Sequence, residues 1–121
     1  MRVITIYTLA QCSTCRDATK WLRARGVAFA EHAIRETPPT LTELRTMLAA
    51  HDGNLRKLFN SSGIEYRALK LAEKIPTMTE AGQLALLAGN GSLVKRPFLV
   101  GAGVALVGFD EKKWAAALPK S

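Results

Sequence analysis

Only two cysteines and two histidines occur among the 121 residues, and that scarcity excludes several chemistries at once. His32 and His51 lie far apart and lack the His-x3-5-His spacing of zinc modules, so no metal is predicted at Cys12 and Cys15. A phosphatase-type Cys-x5-Arg loop opening at Cys12 would need arginine at position 18, which is Ala18. Long apolar runs are missing too, and nothing approaches the ~20 residues of a membrane span. The apolar part of Met1 to Ala10 is short and strand-like, with charge following almost at once, so it is not read as a secretion signal. Leu9-Ala10-Gln11-Cys12 falls short of a lipoprotein cleavage site because Gln11 is not small. Basic runs longer than two residues are absent, and no aromatic-rich stretch offers a base-stacking platform. The formal charge of +7, from 17 basic and 10 acidic residues, therefore points to solubility and an anionic small substrate rather than to direct nucleic-acid binding. A chain of this length buries a core without staples. A close cysteine pair in it is expected in a reducing cytoplasm, where such pairs are more often catalytic or sensing than structural.

What the sequence does hold is a β-branched run, Val3-Ile4-Thr5-Ile6-Tyr7, that breaks into Cys12-Ser13-Thr14-Cys15-Arg16 as a helical pattern begins. From Ser13 the apolar positions Cys15, Ala18, Trp21 and Leu22 recur at helical spacing. Cys12 is thus predicted where a strand hands over to a helix. Unpaired N–H groups and the positive end of the helix dipole favour an anion there, and a thiolate is one. With Arg16 nearby, Cys12 is expected to have a lowered pKa and to act as the nucleophile. Cys15, three residues on, is within reach to resolve a mixed disulfide formed at Cys12. The bland alternative is a pair of buried, inert thiols. The strand-to-helix junction argues against it.

Elsewhere the pattern predicts strands over Arg2 to Tyr7 and Val27 to Ile34, joined by a helix capped by Ser13 or Thr14 and stopped at Gly26. After Pro38-Pro39, Thr40 with Glu43 predicts a capping box and a helix to about His51. A helical turn at Leu55 to Phe59 and a helical piece at Tyr66 to Leu71 follow. A second capping box, Thr77 with Glu80, opens a helix that runs to Gly89. Leu93 to Val100 and Val104 to Phe109 read as a hairpin across Gly101-Ala102-Gly103, and Asp110 caps a last helix that stops at Pro119. Pro97 opens a strand opposite the Cys12 loop. Arg96, just before it, can bring a fixed positive charge to Cys12 or to an oxyanion bound there.

These residues together resemble the thioredoxin-fold branch that contains the glutaredoxin-coupled arsenate reductases and the Spx-like regulators. The likeness runs through Cys12-Ser13-Thr14-Cys15-Arg16, Thr37-Pro38-Pro39-Thr40, Lys57-Leu58-Phe59-Asn60-Ser61-Ser62-Gly63 with Tyr66-Arg67, Leu93-Val94-Lys95-Arg96-Pro97, and Val107-Gly108-Phe109. The resemblance implies one α/β domain over residues 1–121: a thioredoxin-like sheet, β-α-β then β-β-α, from about 1–36 and 92–121, with a helical subdomain inserted at about 37–91. It implies a cis Pro97 near a nucleophilic Cys12. In the arsenate reductases the thiol attacks arsenate, glutathione resolves the adduct, and three arginines hold the oxyanion. Arg96 matches one of them, while Asn60 and Gly108 stand at the other two places. Cys12, Cys15, Arg16 and Arg96 are accordingly the expected catalytic residues, and Asn60, Arg96 and Pro97 the expected substrate-binding ones.

Cys15 suits a thiol-disulfide exchanger. The expected activity is a cytoplasmic thiol-disulfide oxidoreductase with no bound cofactor, partnered by a small thiol or redox protein and drawing electrons from glutathione, glutaredoxin or thioredoxin. The resemblance also allows a redox-sensing regulator that binds the RNA polymerase α subunit, or a true arsenate reductase.

Overall fold

In the computed structural model, which describes residues 3–118, strand β1 (Thr5–Thr8) turns Ile6 to one face of a sheet and Tyr7 to the other. Strand β3 (Phe98–Gly101) repeats the alternation, with Leu99 opposed to Phe98 and Val100. Strand β2 (Ala30–Ala33) pairs parallel with β1, while β3 and β4 (Val104–Val107) extend the sheet antiparallel, giving the order β2-β1-β3-β4. Helices α1 (Ser13–Ala24) and α6 (Glu111–Ala117) cover the Ile6 face, burying Ala18, Leu22 and Trp114 against Leu99. The Trp114 indole N–H donates to the Gly108 carbonyl at 2.9 Å.

Helices α2 (Leu41–Ala50) and α5 (Glu80–Gly89) cover the other face, where Leu44, Met47, Leu84 and Leu87 join Tyr7 and Phe98. Two short helices, α3 (Ile64–Ala68) and α4 (Leu71–Lys74), complete the helical stretch between β2 and β3. The order β-α-β, helices, β-β-α is the α/β arrangement expected from the sequence.

Several local expectations are corrected. The first two strands are shorter than predicted, and Arg2 lies outside the described residues, as does the stop expected at Pro119. The strand expected over Leu93 to Val100 begins only at Phe98. Gly91–Leu93 forms a 3-10 turn, and the backbone groups after it are already engaged: Asn60 N–H donates to Leu93 O at 2.7 Å and Lys95 N–H to Leu58 O at 2.8 Å. Pro97 has no N–H with which to join a ladder.

The capping box at Thr40 and Glu43 is present as expected. The one expected at Thr77 is not. Pro76 holds Ile75–Thr77 in a 3-10 turn, so α5 starts later, with Thr79 as its cap and the Thr79 hydroxyl accepting from Gly82 N–H. The helical piece over Tyr66 to Leu71 is broken at Lys70, whose φ of 54° is left-handed.

Candidate active site

The helix cap predicted at Ser13 or Thr14 falls instead on Cys12. The chain leaves β1 and turns, Cys12 N–H donating to Leu9 O at 3.0 Å. Cys12 stays extended, with φ −87° and ψ 110°, and its Sγ accepts the Cys15 backbone N–H at 3.2 Å. A sulfur thus does what a hydroxyl or carboxylate usually does at a helix start, where N–H groups are otherwise unpaired and the dipole is positive. No acidic side chain lies in the first turn of α1. The local sequence explains the choice: Leu9-Ala10-Gln11 closes the turn one residue before the first hydroxyl becomes available.

The two thiols are unlike. Cys12 is half-buried and Cys15 is 2% exposed. Burial pushes the Cys15 thiol up to about 12, and its hydrogen bond to the Cys12 side chain acts in the same direction, while the Leu9 backbone and the Arg96 guanidinium pull the other way. At about pH 8 only roughly one Cys15 in ten thousand is then ionised. Brief treatment of the native protein with iodoacetamide should therefore label Cys12 and spare Cys15, with both labelled after denaturation. Peptide mass mapping would show the order, and early labelling of Cys15 would contradict it.

Arg96 is half-buried, close enough to the pair to act on Cys15, and its guanidinium donates to the Ser92 carbonyl at 3.4 Å. The Arg96–Pro97 peptide bond is cis, as the resemblance implied, and the buried Pro97 accepts from Gly108 N–H at 2.9 Å. Arg16 donates to the Ala10 carbonyl at 2.8 Å and so ties down the loop that carries Cys12. Asn60 anchors the adjoining segment, donating its N–H to Leu93 O and accepting from Gly63 N–H.

Thr14, Asn60, Arg96 and Gly108 come together along a groove of about 580 Å³. Its charged lining is mostly positive: Lys57, Lys95, Arg96 and Lys113 stand against Asp110, which is occupied in capping α6. On the other side of the Asn60–Arg96 wall, a second hollow of about 300 Å³ adds Arg35 and Ser92. Neither Arg35 nor Ser92 was singled out from the sequence, and no spacing rule would have done so. They are 57 residues apart and meet only because a 3-10 turn packs beside the end of β2. Among the described residues no group of three or more His, Cys, Asp or Glu side chains could hold a metal, and no helix is long and apolar enough to cross a membrane.

Comparison with known proteins adds to this geometry. The ArsC family pattern matches residues 7–117. The chain is 41% identical over 111 residues to the uncharacterised protein YusI of Bacillus subtilis, covering 92% of this chain and 94% of that one. It is 28% identical over 118 residues to the global transcriptional regulator Spx of Streptococcus agalactiae, covering 98% and 85%. A crystal structure of an ArsC-family-related protein from Bacteroides fragilis superposes with a TM-score of 0.86 at 40% identity, covering 94% of this chain and 96% of that one.

Proposed function

Because the chain belongs to the ArsC family, we propose that it is a thiol-disulfide oxidoreductase working in the cytoplasm, with Cys12 as nucleophile and Cys15 as resolving thiol. The observation that carries this reading is the Cys12 sulfur seated as the cap of α1, with a second, buried thiol one turn behind it. In the first step the Cys12 thiolate attacks one sulfur of a disulfide substrate, forming a mixed disulfide and expelling the other half as a thiolate. In the second, Cys15 gives up its proton and attacks the Cys12 sulfur, which closes the Cys12–Cys15 bond and expels the remaining half. The substrate gains two electrons and the cysteine pair loses two. A glutathione, glutaredoxin or thioredoxin thiol would reduce the pair again.

Arg96, whose charge acts on Cys15, lines the groove with Asn60, and a cis bond joins it to the buried Pro97. Arg16 holds the loop. Disulfide exchange is favoured over arsenate reduction because Asn60 and Gly108 supply no guanidinium. Gly108 moreover has φ 69°, and a Cβ there would sit 3.2 Å from the end of the Lys95 chain. Incubating the reduced protein with a small disulfide should yield two released thiols per chain and a protein two mass units lighter. A protein that stays reduced would refute the proposal.

The similarity to Spx across nearly the whole chain favours one second reading, a redox-switched regulator that binds the RNA polymerase α subunit. Retention of the α subunit on immobilised protein, changing with the oxidation state of the pair, would support that reading, and absence of retention in both states would exclude it.

A further inference from the structure

The hollow beyond Arg96 is built around one residue. Ser92 accepts from Arg35 Nε through its hydroxyl at 3.1 Å and from Arg96 through its carbonyl at 3.4 Å. Two guanidinium groups from distant parts of the chain are thereby held on a single anchor. Each guanidinium has five donors in a fixed fork, so these contacts leave most of them available to an acceptor. Both arginines line the same 300 Å³ hollow, with the amide of Asn60 and the hydroxyl of Ser62 beside them. Glu65 is the one carboxylate on its wall.

The hollow and the groove share a wall. Asn60, Ser62 and Arg96 line both, and the groove reaches Thr14, two residues from Cys12. Arg96 is thus shared by the groove and the hollow, and its charge reaches the cysteine pair through Cys15. Resting on the thiol-exchange reading above, we propose that Arg35 and Arg96 form a carboxylate-binding subsite for the small thiol or disulfide that exchanges with Cys12. Arg35, from just after β2, provides the second positive charge that positions 60 and 108 do not. A carboxylate is the fitting group because two parallel N–H···O bonds from a guanidinium match it, and a charge held by two such forks is selected over a neutral analogue. No new bond is made there. The subsite orients the ligand, and the electrons move at the sulfurs as described.

The test compares two reagents of the same skeleton, 3,3′-dithiodipropionate and its neutral dimethyl ester, by the rate at which each oxidises the full-length protein. Arg35→Gln should lower the acid-to-ester rate ratio by about tenfold, the size of one lost charge-assisted contact. Arg35→Lys, which keeps the charge and loses the fork, should fall between. Arg45→Gln removes the same charge from an exposed position on α2 that lines neither hollow, and should leave the ratio unchanged. An unaltered ratio in Arg35→Gln, or an equal fall in Arg45→Gln, would overturn the subsite while leaving the thiol reading intact. Continued oxidation by the ester in Cys12→Ser would instead remove that reading, and the subsite with it.

Discussion

Cys12→Ser should abolish disulfide exchange, with a rate loss of at least about three orders of magnitude, because a serine hydroxyl cannot supply the anion that attacks sulfur. Cys15→Ser should leave the first step running and stop the second. Intact mass after a quenched reaction separates the outcomes: the Cys12→Ser variant carries no adduct, and the Cys15→Ser variant accumulates one half of the disulfide reagent. Exchange at the normal rate in the Cys12→Ser variant, or release of both halves by the Cys15→Ser variant, would refute the assigned roles. The surroundings of Cys15 disfavour it as the first attacker. Its thiol is held up to about 12 by burial first, but also by its hydrogen bond to the Cys12 side chain and by the Cys12 charge. Once Cys12 is joined to the substrate it no longer opposes the downward pull of Arg96 on Cys15. Formation of the mixed disulfide thus eases one of the influences that hold the resolving thiol up, while burial, the largest, remains. Below that value the thiolate fraction of Cys15 rises tenfold per pH unit, so the accumulated adduct in the unmodified protein should diminish as pH is raised.

Much of this arrangement can be read from residue order, and what cannot has identifiable physical causes. The β-branched run from Val3 to Tyr7 and the helical recurrence of Ala18 and Leu22 predict a strand and a helix meeting at Cys12, and both appear. Short-range rules fail where tertiary contacts compete with them. Leu93 to Lys95 has strand composition, yet its backbone groups are taken by Leu58 and Asn60 from another part of the chain. Thr77 with Glu80 has the letters of a capping box, yet the turn around Pro76 delays the helix by two residues. At Cys12 the usual preference for Ser or Thr was outweighed by where the turn from β1 ends, and the displaced cap is what gives the sulfur an N–H donor.

The site divides in the same way. Cys12, Cys15 and Arg96 were legible because each sits within or beside a motif whose chemistry is local. Asn60 and Gly108 were legible only through the resemblance, as places where arginine is absent. Arg35 and Ser92 carried no local signal, since the contact between them depends on how closely two backbones approach.

That approach rests on Gly91, and its replacement gives the second large effect. A Cβ at position 91 would lie 1.8 Å from the Ile34 carbonyl oxygen and 2.7 Å from its carbon, both backbone atoms. Neither side can yield easily: Ile34 is fully buried and its N–H is bonded to Thr8 O of β1 at 2.9 Å, while the Gly91 carbonyl accepts from Val94 N–H at 3.2 Å. Gly91→Ala should cost about 3 kcal/mol, the upper part of the overpacking range. The melting temperature should fall on the order of 10 °C. Gly89→Ala, two residues earlier at the end of α5, meets nothing within 4 Å and should be neutral or slightly stabilising, since alanine is the better helix former. The pair separates close packing from loss of glycine as such. Where the Gly91→Ala chain remains folded, Ser92 is pushed from the end of β2, so the acid-to-ester preference should weaken together with stability. A melting point equal to that of the unmodified protein would show that the two backbones are not in contact, and the joint anchoring of Arg35 and Arg96 would fail with it.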